Sequence, residues 1–329
     1  MPPNESCFPT ELIDNIIDEA AVDKSLRGST FSSMALVSHG CRHRVNKHRF
    51  SQISMDVHKT VLPRIQDLEG ILASSLWQNN VGVMQHVRSV TLVLGRADNR
   101  NLRSNPSISQ AIVSVLNIIF QGDGILAHND SAYTLSIETA DYRYADVEGP
   151  VRGLPFTILD PTLVCVLYDI CQNTSMNTLS LKQIWDVPSS MILSSAITKL
   201  LLERAHFAPL EIENMSSRSV LPLKNLKYLS LTMSPSLLGS VLGSTAEFPS
   251  SLEVVRFRIN YAGGYDVLRR LGKSIVHLIL TIIHDSESDV SNSGIDCSFI
   301  DYSGFSRLQM LEIFLWGCLC PNFRRRLHG

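Results

Sequence analysis

The stretch HGCRHRVNKHRF, His39 to Phe50, gathers three histidines, a cysteine and the cations Arg42, Arg44, Lys47 and Arg49. Histidines at i and i+4, as His39 and His43 are, share a helix face and can converge on zinc. That chemistry needs more ligands and an unbroken helix. No carboxylate or thiol pair completes the set, Cys41 would leave on another face, and Gly40 predicts a break between the two histidines. Nucleic-acid binding would want aromatic stacking partners among the cations, and only Phe50 is close. What remains is a solvated basic helix face, with the charged rim of a protein interface as its refinement.

The remaining reactive residues are sparser. Cys165 and Cys171 lie six apart, and Cys318 and Cys320 form a C-x-C. A zinc site needs a second pair, and the chain has no C-x-x-C, so these are expected to be buried free thiols with no metal. There is no Gly-x-Ser-x-Gly elbow, phosphate loop or His-Glu-x-x-His helix. GGYD at Gly263 and GDG at Gly122 read as turns. No catalytic residue, cofactor or enzymatic activity is expected.

Bulk properties narrow the class further. The chain has 329 residues, of which 44% are hydrophobic and 18% charged, with a net charge of −2. That allows a large core and argues against disorder, and the charge calls for neither a nucleic-acid nor a membrane partner. No apolar run reaches the roughly 18 residues of a membrane helix. MPPNESCF has neither the basic nor the apolar region of a signal peptide. The 7 cysteines, an odd number, show no disulfide framework. The expected location is cytoplasmic, nuclear or both.

Two kinds of element must position whatever this chain binds. The first fifty residues are helical in pattern. Pro9 has φ preset for a first helical turn, and Leu12, Ile13, Ile16, Ile17 and Ala20 recur at helical spacing on what reads as one face. Phe31, Met34 and Ala35 make a second stripe running on into Leu36 and Val37, and Arg42 to Phe50 predicts a third helix with Val45 inward. Three such helices bury little among themselves and should lean on a partner surface. Residues 61–76 and 109–120 predict helices, 87–95 and 132–138 predict strands, and 140–155 reads as an exposed connection.

From about residue 160 a repeat emerges: MNTLSL, ITKLLL, LKYLSL, LEVVRF, IVHLIL and LQMLEI, beginning at Met176, Ile197, Leu226, Leu252, Ile275 and Leu308. VRSVTL at Val87 is an earlier copy. The fourth positions, Leu179, Leu200, Leu229, Val255, Leu278 and Leu311, are separated by 21, 29, 26, 23 and 33 residues. Spacings in the twenties with one short strand per unit mark leucine-rich repeats. Each L-x-L stacks inward over the next, and the residues between point outward.

FPTELIDNIIDE followed by SMALVSHGCRHRVNKHRF resembles the F-box motif in the form common in mushroom-forming fungi. Pro9, Glu11, Leu12, Ile16 and Ile17 match its first block, and Leu36, Val37, Ser38 and Arg42 its second. Phe8 replaces a leucine, and Cys41 stands where tryptophan is usual. The resemblance implies docking on the Skp-type adaptor of a cullin–RING ubiquitin ligase of the SCF type. It nominates Phe8, Pro9, Leu12, Ile13, Ile16, Ile17, Leu36 and Val37 for the adaptor-facing and internal surfaces. It also implies that the repeats hold a protein substrate.

The expected architecture is therefore α/β, with an N-terminal three-helix F-box-like module over residues 1–55. An irregular leucine-rich-repeat solenoid follows over 56–329, its last repeat atypical or truncated. The outward strand residues of a repeat array line its concave face. Tyr228, Ser230, Arg256, Arg258, His277 and Glu312 are the candidates there for an unidentified protein target, because tyrosine and arginine are enriched at interfaces. The ending CLCPNFRRRLHG reads as a solvated tail, leaving Trp316 and Phe323 partly exposed. The rival is a free-standing scaffold with a degenerate F-box.

Overall fold

The computed structural model describes residues 9–23, 29–56, 62–77, 83–94, 106–121, 133–139, 153–193, 195–208, 223–232, 251–259, 274–283, 305–316 and 324–328. Three helices come first: α1 (Thr10–Val22), α2 (Ser29–Met34) and α3 (His39–Phe50). Strand β1 (Gln52–Asp56) follows α3 directly, and α4 (Leu62–Trp77) and β2 (Ser89–Leu94) come next. Then α5 (Pro106–Gln121) leads to β3 (Tyr133–Thr139), and β4 (Leu154–Pro155) precedes α6 (Pro161–Gln172). Beyond them lie β5 (Met176–Lys182), β6 (Ile184–Trp185), α7 (Ser189–Leu193) and β7 (Lys199–Glu203). The chain continues as β8 (Tyr228–Thr232), β9 (Val254–Ile259), β10 (His277–Ile283), β11 (Met310–Trp316) and β12 (Arg324–His328).

Ten strands form one open sheet in the order β1-β2-β3-β5-β7-β8-β9-β10-β11-β12, while β4 and β6 pair separately. The first nine pair in parallel, and β12 is antiparallel to β11. Spatial order follows chain order throughout the large sheet, so each unit adds a strand beside the last.

The L-x-L phase read from the repeats is the register of this sheet. Leu179, Leu200, Leu229, Val255, Leu278 and Leu311 pair in one row, with Ile53, Val90 and Leu135 continuing it. A second row two residues on runs Met55, Leu92, Ile137, Leu181, Leu202, Leu231, Phe257, Leu280 and Ile313. Both rows are buried as far as Leu280, and they share one core with Ile65 and Leu72 of α4, Ile112, Leu116 and Ile119 of α5, and Leu163 and Leu167 of α6. Side chains alternate along a strand, so the intervening residues face the other way. Strands covered by helices on both faces read as continuous apolar runs. These read L-S-L, V-R-F and L-E-I, the pattern of a sheet with one helix-covered face.

Turns repeat as well. Gln183 and Arg204, immediately after β5 and β7, adopt φ of 55° and 50°. Their N–H groups donate to Glu203 O and Thr232 O, the last carbonyls of the next strands, each at 2.8 Å. The same left-handed step thus ends two successive strands and lets the chain leave the sheet. At Gly153 a Cβ would lie 2.3 Å from the Trp185 ring, so β4 can reach β6 only through glycine.

Several local expectations need correction. Gly40 does not break a helix; α3 starts at His39, because the hydroxyl of Ser38 caps it by accepting from Cys41 N–H at 3.1 Å. Pro9 is the residue before α1, and its carbonyl accepts from Leu12 and Ile13 N–H. The end of the supposed exposed connection is buried at Gly153 and Leu154. Cys171 is buried and its thiol pushed up to about 12 by desolvation, but Cys165 is exposed. The arginine-rich ending is strand β12, since backbone pairing to β11 needs no apolar side chain. Phe8, Phe323 and the remaining cysteines lie outside the described residues.

Candidate functional site

The N-terminal helices enclose a core of their own. Ile17, Ala20 and Ala21 of α1 meet Phe31 of α2 and Cys41 and Val45 of α3, with Ile13, Met34 and Ala35 packed at its margin. The apolar residues of α1 therefore do not share one face. Ile17 is 1% exposed, whereas Leu12 and Ile16 are 50% and 55% exposed. The cause is angular: Ala20 and Ala21 continue the line of Ile17 at i+3 and i+4, and Leu12 and Ile16 form a separate i, i+4 pair. Leu36 and Val37, in the turn between α2 and α3, are 79% and 73% exposed.

A clamp of charge fixes the angle at which α1 is presented. Arg44 grips both carboxylate oxygens of Asp18, its Nε donating to Oδ1 at 2.8 Å. His48 Nε2 lies 2.7 Å from the same Oδ1, and Arg44 reaches Asp14 at 3.8 Å. The Arg44 guanidinium holds the Asp18 carboxyl well below the usual carboxylate range, and the Arg44 pKa is raised in return. Arg49 donates to Ser32 Oγ at 2.7 Å, tying α3 to α2. The basic helix is thus more than a solvated face, because part of it staples the unit together. Sequence pattern alone pairs charges within a helix; it does not pair Arg44 with a residue 26 positions earlier.

The helical unit meets the sheet through histidines. His43 of α3 packs edge-on against His86, ring centroids 4.7 Å apart, and Arg88 and Ser89 N–H groups donate to Ser51 O at 3.0 Å. His86 is buried, and desolvation with nearby His43, Arg88 and Lys47 lowers its pKa to about 4. Among the described residues no three His, Cys, Asp or Glu side chains gather as metal ligands, and no helix is long and apolar enough to cross a membrane.

The second surface is the sheet face opposite the helices. All six candidates fall in three adjoining rows of it. Tyr228 pairs with Val254, His277 and Met310; Ser230 with Arg256, Ile279 and Glu312; Thr232 with Arg258, Thr281 and Phe314. Arg256 is exposed, Tyr228, Ser230, Arg258 and His277 are half-buried, and Glu312 is 8% exposed. His277 Nε2 lies 3.2 Å from Glu312 Oε1, near enough for an ion pair without the alignment of a hydrogen bond. Lys199 Nζ sits 4.7 Å over the Tyr228 ring, and Lys182 pairs with Glu138 at 3.1 Å. The arrangement offers hydrogen bonds, charge and flat rings to an extended ligand.

Sequence reasoning did not single out Val22, also exposed at the end of α1. Its signal was available, since Ala20 and Ala21 already occupy the inward line. Compared with known proteins, the chain matches no family model, no curated protein and no solved structure.

Proposed function

We propose that this protein is a substrate-recognition subunit of an SCF-type ubiquitin ligase. Its N-terminal helices, read as an F-box, dock on the Skp-type adaptor and through it on the cullin and RING subunits. Its strands, read as leucine-rich repeats, hold a target on their outward face. Catalysis belongs to the partners, and this chain contributes position.

One observation carries the reading. Among the described residues six large hydrophobic side chains are exposed, and five of them, Leu12, Ile16, Val22, Leu36 and Val37, belong to the N-terminal helical unit. Four of these five sit at positions of the two F-box-like blocks. Covering Leu12, Ile16, Leu36 and Val37 would contribute on the order of 5 kcal/mol before association costs. Cys41, in place of tryptophan, is buried against the other core residues, so the helices close around the smaller side chain. The substitution still favours the second reading, a scaffold whose F-box no longer recruits a ligase.

Co-purification of the full chain with a Skp-type adaptor separates the two. Capture by the wild type, lost in Ile16→Asp with an unchanged melting temperature, supports the ligase reading. No capture by the wild type sinks it and leaves the scaffold.

A further inference from the structure

Charge is not spread evenly over the outward face. On β3, β5 and β7 it alternates, as Glu138, Lys182, Lys199 and Glu203, and Lys182 is paired with Glu138 at 3.1 Å. On β9 both charges are positive. Arg256 and Arg258 face outward there, and Phe257 between them is buried in the core. Register places Ser230 and Thr232 of β8 on one side of the two arginines, and Ile279 and Thr281 of β10 on the other. None of these four neighbours is acidic. Glu312, two strands from Arg256 in its row, is buried beside His277 at 3.2 Å. Glu203 lies two strands from Arg258 on the other side. Arg256 is exposed while its neighbours on this face are half-buried, and among the described residues it has no hydrogen-bond or ion-pair partner.

We propose that β9 binds an extended segment of a target protein that runs along the strand, with acidic residues at i and i+2 facing Arg256 and Arg258. The proposal rests on the reading of the outward face as the target-holding surface and names the chemistry it selects. Alternate residues of an extended chain share one side and lie about 6.6 Å apart. The two arginines keep that interval because they stand on a strand, and a segment laid along it presents carboxylates at the same interval. Extended chains that face each other through their side chains lie about 10 Å apart, a gap that an arginine and a glutamate fill together. Guanidinium groups suit carboxylates because their paired N–H donors match both oxygens. The next outward residue of β9, Val254, is half-buried between Tyr228 and His277, so an apolar residue two places beyond one carboxylate falls on it. Nucleic acid fits this face less well, because stacking needs free rings, and the Tyr228 ring already carries Lys199 Nζ at 4.7 Å.

The test is fluorescence anisotropy on the full chain with the labelled peptide Leu-Ser-Glu-Ser-Glu-Ser-Leu, whose two leucines serve either direction along β9. It should bind about tenfold more tightly than its counterpart Leu-Ser-Gln-Ser-Gln-Ser-Leu, with affinity falling as salt rises. It should bind roughly threefold more tightly than Leu-Ser-Ser-Glu-Glu-Ser-Leu, which has the same composition but turns one carboxylate away. Arg256→Glu should cost about tenfold while the melting temperature holds. The same variant should bind Leu-Ser-Lys-Ser-Glu-Ser-Leu better than the wild type does. Equal affinity for the glutamine or the adjacent-glutamate peptide, or indifference to Arg256→Glu, overturns the proposal. So does binding confined to a version carrying phosphoserine in place of the glutamates, or tighter binding of a single-stranded oligonucleotide of matched length. Adaptor capture is measured on the same proteins. Capture lost with peptide discrimination intact counts against the ligase reading alone, and the reverse counts against this proposal alone.

Discussion

The helical unit and the sheet bury apolar surface in opposite ways. The sheet's two leucine rows run through nine strands, and as far as Leu280 each row member is buried by its neighbours and by α4, α5 or α6 where these helices lie. Burial there is cumulative, since every added unit covers the one before. Among the described residues, the helical unit has no such neighbour over Leu12, Ile16, Leu36 and Val37. Its core is Ile17, Ala20, Ala21, Phe31, Cys41 and Val45, while the aliphatic residues Leu12, Ile16, Leu36 and Val37 stay outside. The unit keeps Ile17, Phe31 and Val45 inside and leaves leucine, isoleucine and valine side chains on its surface.

The largest effect is expected in the sheet. Leu200→Ala removes a side chain covered on both sides along its row, and should cost about 3–4 kcal/mol. Urea unfolding would read this as a lower midpoint at unchanged slope. If the cost were below about 1 kcal/mol, the rows would not be the continuous core described.

The next largest effect should separate two adjacent residues of α1. Ile17→Ala should destabilise the helical unit by roughly 2–3 kcal/mol, while Ile16→Ala should change stability by less than about 0.5 kcal/mol. Far-ultraviolet circular dichroism during thermal unfolding distinguishes them. Equal costs would mean that the two isoleucines share one environment.

Acid should loosen the joint between the regions. His86 has its folded pKa lowered to about 4, against an ordinary 6.5. The unfolded chain therefore binds the proton first, and stability falls as pH drops from 6.5 towards 4. The loss should approach about 2 kcal/mol at pH 4, and His86→Gln should flatten that part of the profile. Melting curves across this range provide the check.

The smallest effect lies inside the helical unit. Asp18 has a depressed folded pKa, so its contribution is full above the ordinary value of 3.8 and is lost as pH falls below it. The group is partly exposed, so solvent screening should hold the cost of Asp18→Asn to about 1 kcal/mol or less at neutral pH. Its larger consequence should be on adaptor capture, because the Arg44–Asp18 clamp sets the pose of Leu12 and Ile16. A substitution that left capture untouched would show that α1 is positioned by packing alone.

The sheet's register is legible in the amino-acid pattern. Strand side chains alternate with a period of two, and a one-residue slip would turn every leucine outward, so Leu179 to Leu311 could be aligned from spacing alone. The outward rows, and with them Arg256, Arg258 and Glu312, followed from the same parity. Tertiary structure decided what periodicity leaves open. A helix line of Leu12, Ile13, Ile16 and Ile17 spans more than one face, and only the placement of Phe31, Cys41 and Val45 selects Ile17 for the core. Gly40 is compatible with a helix end or a first turn, and the Ser38 cap chose the turn. The basic run of α3 reads as solvated until Asp18 is brought across from α1, and the final arginines read as a tail until β11 supplies a backbone to pair with. In each case the deciding partner is distant in the chain, so its effect is a matter of packing geometry that local spacing does not encode.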